Sequence, residues 1–229
     1  KQCPVIEPDG QPRVWLAAGN CLFGDARHTN QSMAITALSA YTCNQVVGYT
    51  VPSWYGAGGW GTLGSFVDMA DHTTLAQAWY LNNQFILLNT RNIDEKLLGV
   101  RFDGESLDFS FHRAVLESGA AITNDNAKDA FGLVHDRDVV AFYGDPAWSA
   151  TIDTSHSSRP FAITWQNPTT ITITANRDHK GRLGIWFPTP ATGRNATACD
   201  APDAIFTNDF ILIPELEMKK GETRTINIH

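Results

Sequence analysis

Apolar residues are distributed in two different ways along this chain. Up to about residue 152, short apolar runs alternate with stretches whose apolar positions recur at helical spacing; beyond it only short runs remain, separated by turn residues. Val14-Trp15-Leu16-Ala17-Ala18 predicts a buried strand. Residues 32–41 have helix composition and apolar residues at helical spacing, with Ser32 as N-cap. Gln45-Val46-Val47-Gly48-Tyr49-Thr50 predicts a second buried strand. Strand, helix, strand in that order is a βαβ unit, whose two strands run parallel through a right-handed crossover. Their C-terminal tips then share one edge, so Cys21 and the loop after Thr50 are expected to be neighbours in space.

That loop, residues 51–61, is rich in glycine and aromatic residues. A helix is predicted from near Thr62 to about Asp68, and a stronger one over 74–89, where Leu75, Ala78, Leu81, Phe85 and Leu88 lie on one apolar face. A third strand over 139–143 is stopped by Gly144-Asp145-Pro146. Strands are further predicted over 161–165, 170–175, 183–187, 210–213 and 224–228, punctuated by Asn167-Pro168, residues 178–181 and Lys220-Gly221. With no helix predicted among them, they read as a small antiparallel β-sandwich. The expected organisation is an α/β domain over 1–152 with a mainly parallel sheet and flanking helices, then the sandwich over 153–229.

Composition narrows the function classes. Of 229 residues, 17 are Lys or Arg and 24 are Asp or Glu, a formal net charge of -7. Without a basic tract, this balance argues against a nucleic-acid or anionic-membrane partner. No apolar run is long enough to span a bilayer. The 4 cysteines, Cys3, Cys21, Cys43 and Cys199, fit no zinc template and no dense disulfide framework. No metal or cofactor is expected. The first residue is Lys1 rather than Met, which reads as a processed or trimmed chain.

Cys21 carries the clearest chemical signal. It follows an apolar strand and precedes Gly24-Asp25 rather than a helix, which places a thiol at a strand tip, where open α/β sheets put their chemistry. A nucleophilic thiol needs partial exposure and polar neighbours, which a strand tip offers and a core does not. The alternative is a small buried apolar residue, as many free cysteines are. Trp54, Tyr55 and Trp60 either form a pocket wall or cover the end of the sheet. His28 reads as a loop histidine near Cys21 and Asp25; His112 and His135 read as helix surface and turn. Cys43 reads as packing, and Asn195-Ala196-Thr197 matches the N-glycosylation pattern.

Cys21-Leu22-Phe23-Gly24-Asp25 after an apolar strand, the Ser-Met-Ala helix, the Val-Val-Gly strand, the Trp-bearing loop and Phe142-Tyr143-Gly144-Asp145-Pro146 together resemble the gingipain-type cysteine peptidases, which have a caspase-like fold followed by an immunoglobulin-like domain. The resemblance runs from about residue 13 to the end. It implies a secreted or cell-surface bacterial endopeptidase acting on polypeptide substrates. In it, Cys21 is the nucleophile and its backbone N–H helps form the oxyanion hole. Trp54, with Tyr55 beside it, lines the substrate pocket, and Gly144-Asp145-Pro146 is structural. Caspase-like domains place the catalytic His upstream of the Cys, and no His precedes Cys21 here. The first strands of the sheet are also missing, so an N-terminal chain or segment of the same precursor is expected as partner.

Two other readings compete. Gly19-Asn20-Cys21-Leu22-Phe23 resembles the nucleophile motif of ovarian-tumour-type deubiquitinases, which requires a helix to open at the Cys. A non-catalytic binding protein would instead use the sandwich, with Trp165 and Trp186 exposed on one flat face.

Overall fold

The chain is described from a computed structural model over residues 10–17, 21–27, 32–40, 43–53, 57–68, 73–101, 110–150, 159–188, 200–201 and 203–228. Among these residues the architecture is mixed α/β, with five α-helices and three small sheets of three strands each. It divides into two units, one of residues 1–63 and 82–150, the other of residues 64–81 and 151–229.

In the first unit, β1 (Arg13–Ala17) pairs parallel with β2 (Cys43–Tyr49), with Trp15 opposite Val46 and Ala17 opposite Gly48. The crossover contains α1 (Met33–Ala40). Ser32 starts that helix as expected: its Oγ accepts the Ile35 N–H at 3.3 Å and its carbonyl accepts the Thr36 N–H at 2.9 Å. Ala34 and Ala37 bring the helix close to the sheet, packed with Ala17, Phe23, Cys43 and Val46.

β3 (Val140–Gly144) completes this sheet in the order β1-β2-β3, but it runs antiparallel to β2. The expected mainly parallel sheet is therefore corrected to a mixed one. The cause is the preceding helix, α5 (Ala127–Val139), which passes into β3 with no residue between them. The chain enters the sheet opposite Tyr49, the C-terminal end of β2, and has to run back toward Gln45, which pairs with Gly144.

α2 (Ala57–Asp68) begins before Thr62, inside a glycine-rich stretch with poor intrinsic helix propensity. Tertiary bonds hold its first turn: the Gly58 N–H donates to Asp136 at 3.1 Å, and the Gly58 carbonyl accepts from Asn82 and Thr62, each at 2.9 Å. α3 (Leu75–Ile93) is followed by a 3-10 helix (Glu95–Gly99) and α4 (Ser110–Glu117). Leu97, Val100, Phe111, Val115, Ala130 and Val134 form a second apolar cluster, between the 3-10 helix, α4 and α5.

In the second unit, β4 (Phe161–Asn167), β5 (Thr170–Ala175) and β9 (Thr223–Asn227) form one antiparallel sheet. β6 (His179–Trp186), β8 (Phe210–Met218) and β7 (Ile205–Phe206) form the other. β5 alternates strictly, with Ile171, Ile173 and Ala175 buried and the threonines between them partly exposed. These residues and Ile185, Ile211 and Ile213 from the other sheet share one apolar cluster. Each fully buried isoleucine contributes about 2 kcal/mol by removal from water. Tyr80 sets its ring edge-on against Trp186 and Phe210, 5.9 and 5.8 Å away.

Candidate active site

β1 delivers Cys21 to a tight turn, Cys21–Gly24, that lies along the exit of β2. The Leu22 N–H donates to the Val51 carbonyl at 3.3 Å and the Gly24 N–H to the Tyr49 carbonyl at 2.9 Å. The Tyr143 hydroxyl donates to the Gly24 carbonyl. Gly24 is required by this approach, because a Cβ there would lie 2.5 Å from the Gly48 carbonyl oxygen. Leu22 takes a left-handed backbone, φ 61°, which costs a non-glycine residue about 1–2 kcal/mol and is sustained by the bonds on either side.

The turn leaves the Cys21 thiol exposed. Its partner is Ser53, in the loop after β2. The Ser53 N–H donates to the sulfur at 3.2 Å, and the Ser53 hydroxyl lies 3.5 Å from it. The two strand tips therefore meet, as a parallel pair requires. The Ser53 hydroxyl, followed by the Ser53 N–H, holds the thiol below its ordinary range by stabilising the thiolate; slight burial opposes this, and the Cys21 N–H adds a smaller contribution. A thiol that is exposed and shifted in this direction is nucleophilic nearer neutral pH. Ser53 was not identified from sequence. Its one signal was its position, as the serine between Pro52 and Trp54 in the loop expected to face Cys21.

The remaining candidates fall in different places. Trp54, Tyr55 and His28 lie outside the described residues, as do Cys3, Cys199 and the Asn195 sequence, and so does the Trp60 side chain. Asp25 is engaged by Arg27, which donates its backbone N–H at 3.0 Å and its guanidinium at 2.7 and 2.9 Å. Cys43 is buried, its thiol donates to the Gln45 carbonyl at 3.1 Å, and burial pushes it up from the ordinary thiol range. The Gly144-Asp145 corner is tied to β2 by Gln45, whose amide donates to the carbonyls of Asp145 and Trp148 at 2.6 and 2.9 Å.

Neither described histidine of the first unit, His112 or His135, is a hydrogen-bond partner of Cys21. His112 sits in α4 with Phe111 and Phe131 rings 4.2 and 4.5 Å away, and burial, helped by nearby His135, lowers its pKa. His135 lies in the interior of α5 rather than in a turn. It is fully buried, with its Nδ1 2.9 Å from Asp136 Oδ1. Asp136 is equally buried, and its Oδ2 accepts the Tyr49 hydroxyl at 3.2 Å and the Gly58 N–H at 3.1 Å. Nothing in the sequence marked Asp136, whose partners are brought together only by the fold.

Cys21 opens a turn, not the helix that the ovarian-tumour-type motif needs. Trp165 and Trp186 are both half-buried; Trp165 lies at right angles to Phe187 at 5.5 Å and Trp186 stacks with Phe210 at 5.8 Å. Among the described residues, no three His, Cys, Asp or Glu side chains gather as a metal site, and no helix is long and apolar enough to cross a membrane. Compared with protein-family models, with curated proteins and with solved structures, the chain matches none.

Proposed function

We propose that this chain is a cysteine endopeptidase, or the C-terminal chain of one, in which the Cys21 thiolate attacks the carbonyl carbon of a peptide bond. The observation that carries the reading is the exposed sulfur of Cys21, in the turn beside the exit of β2, receiving the Ser53 N–H at 3.2 Å and held low by the Ser53 hydroxyl. Attack forms a C–S bond and a tetrahedral oxyanion. Collapse of that intermediate expels the amine, which takes a proton from the general acid, and water then hydrolyses the thioester to release the acid and restore the thiol. The Cys21 N–H is the first oxyanion donor; such a donor is worth about 3 kcal/mol of barrier. In this reading the imidazole comes from an upstream segment of the precursor, and Trp54 and Tyr55 line the pocket. The first unit supplies the C-terminal part of a caspase-like sheet, and the two sheets of the second unit form an immunoglobulin-like sandwich. Secretion or surface display accompanies the same resemblance.

The test is to treat the complete precursor with a thiol-reactive peptidyl probe, with Cys21→Ala as the control. Labelling of Cys21 together with peptide cleavage, both lost in a folded Cys21→Ala protein, is the expected result. A folded precursor in which the probe leaves Cys21 unlabelled refutes the proposal.

A further inference from the structure

The structure assigns a positioning role to Asp136: this buried carboxyl group, on the last turns of α5, holds both ends of the loop that presents Ser53 to the Cys21 sulfur. The inference rests on Cys21 being the reacting group.

Ser53 lies between two anchor points, and one oxygen atom holds both. Asp136 Oδ2 accepts the hydroxyl of Tyr49, the last residue of β2, and the N–H of Gly58, in the first turn of α2. The other oxygen, Oδ1, faces His135 Nδ1 at 2.9 Å, so the carboxyl plane is fixed from its far side. One helical turn on, the Val139 carbonyl accepts both the N–H and the hydroxyl of Thr50, at 2.8 and 3.1 Å. The contact with Gly58 is close on every side: a Cβ there would fall 2.6 Å from Val140 Cγ2. The end of α5 is thus a template for the loop.

Hydrogen bonds to sulfur act on the thiol only while their geometry is held, and a displacement of about 1 Å is enough to weaken such a site. Ser53 reaches Cys21 with contacts of 3.2 and 3.5 Å, well-formed lengths for hydrogen bonds to sulfur, and they hold only while the loop stays in place. Asp136 touches neither Cys21 nor Ser53 by any hydrogen bond, so its effect passes through the loop. Asn at this position can keep its one oxygen on the Tyr49 and Gly58 donors by turning its NH2 group toward His135 Nδ1, whereas Ala removes the shared acceptor outright.

The experiment is the pH profile of Cys21 alkylation by iodoacetamide, read peptide by peptide by mass spectrometry, for the parent, Ser53→Ala, Asp136→Ala and Tyr49→Phe proteins. Circular dichroism and the thermal transition report folding. Alkylation needs no peptide substrate, so the result stands apart from whether the chain cleaves peptides. Asp136→Ala is expected to move the profile to higher pH, in the same direction as Ser53→Ala, and to slow Cys21 alkylation near neutrality about three- to tenfold. Tyr49→Phe shifts it the same way by less. A folded Asp136→Ala protein whose profile superimposes on the parent overturns the assignment. Where Asp136→Ala does not fold, Tyr49→Phe decides by the same criterion.

Discussion

Ser53 donates its backbone N–H to the Cys21 sulfur at 3.2 Å although 32 residues separate the two. The other described thiol, Cys43, is shifted the opposite way because it is buried. Raising the pH of the native protein should therefore alkylate Cys21 first, at a pH where Cys43 is still protonated and covered. Lowering a thiol's pKa enlarges its thiolate fraction below the ordinary value, so the Cys21 profile lies on the acid side of that of the unfolded chain, and that of Cys43 on the alkaline side. Peptide mapping after timed alkylation, with a urea-unfolded sample in which both sites react alike, checks the order. Equal native rates contradict it.

Gly24→Ala tests how the turn is held. A Cβ 2.5 Å from the Gly48 carbonyl oxygen meets backbone in the middle of a sheet, so the turn and β2 have to separate. The expected cost is about 1–3 kcal/mol, of the size seen for overpacking. It should appear as a lower denaturant midpoint with an unchanged slope, and the Gly24–Tyr49 backbone bond should be the first protection lost in hydrogen exchange.

Arg137→Lys tests a second buried connection. The Arg137 guanidinium pairs with Asp138 at 2.7 Å and also reaches the carbonyls of Leu97, Leu98 and Val100, which end the 3-10 helix. Lysine keeps the charge but has no planar fork to serve these acceptors together. A loss of about 2–3 kcal/mol is expected, measured by denaturant unfolding. Faster amide exchange should be confined to residues 95–101 and their contacts with α5.

The elements that the sequence made legible are those whose signal is local. β1, α1 and β2 announced themselves by apolar runs around a Ser-capped helix, and their order alone placed Cys21 beside the loop containing Ser53. β5 showed its Thr-Ile alternation and was predicted over 170–175, the span it occupies. Elements decided by distant contacts were not legible. α2 starts among glycines because Asp136 and Asn82, both distant in sequence, satisfy Gly58. The direction of β3 follows from where α5 ends, which its own five residues do not encode. β8 runs on past Ile213 through Pro214, normally a strand breaker, because the pairing with β6 slips between Gly181 and Leu183 and accommodates the missing N–H. At the site, the thiol was legible from its position at a strand tip. Ser53 was hidden among more conspicuous aromatic residues, and Asp136 acts only through partners far away in sequence.

The parallel pairing of β1 with β2 also has a kinetic side. Cys21 and Ser53 can meet only after the crossover has closed and Ala17 has come level with Gly48, since each belongs to a different strand exit. Before that moment the sulfur titrates as it does in any random coil. The contact that lowers the Cys21 pKa is thus made in the same event that brings the strands into register, so the titration of this one thiol reports that step of chain assembly.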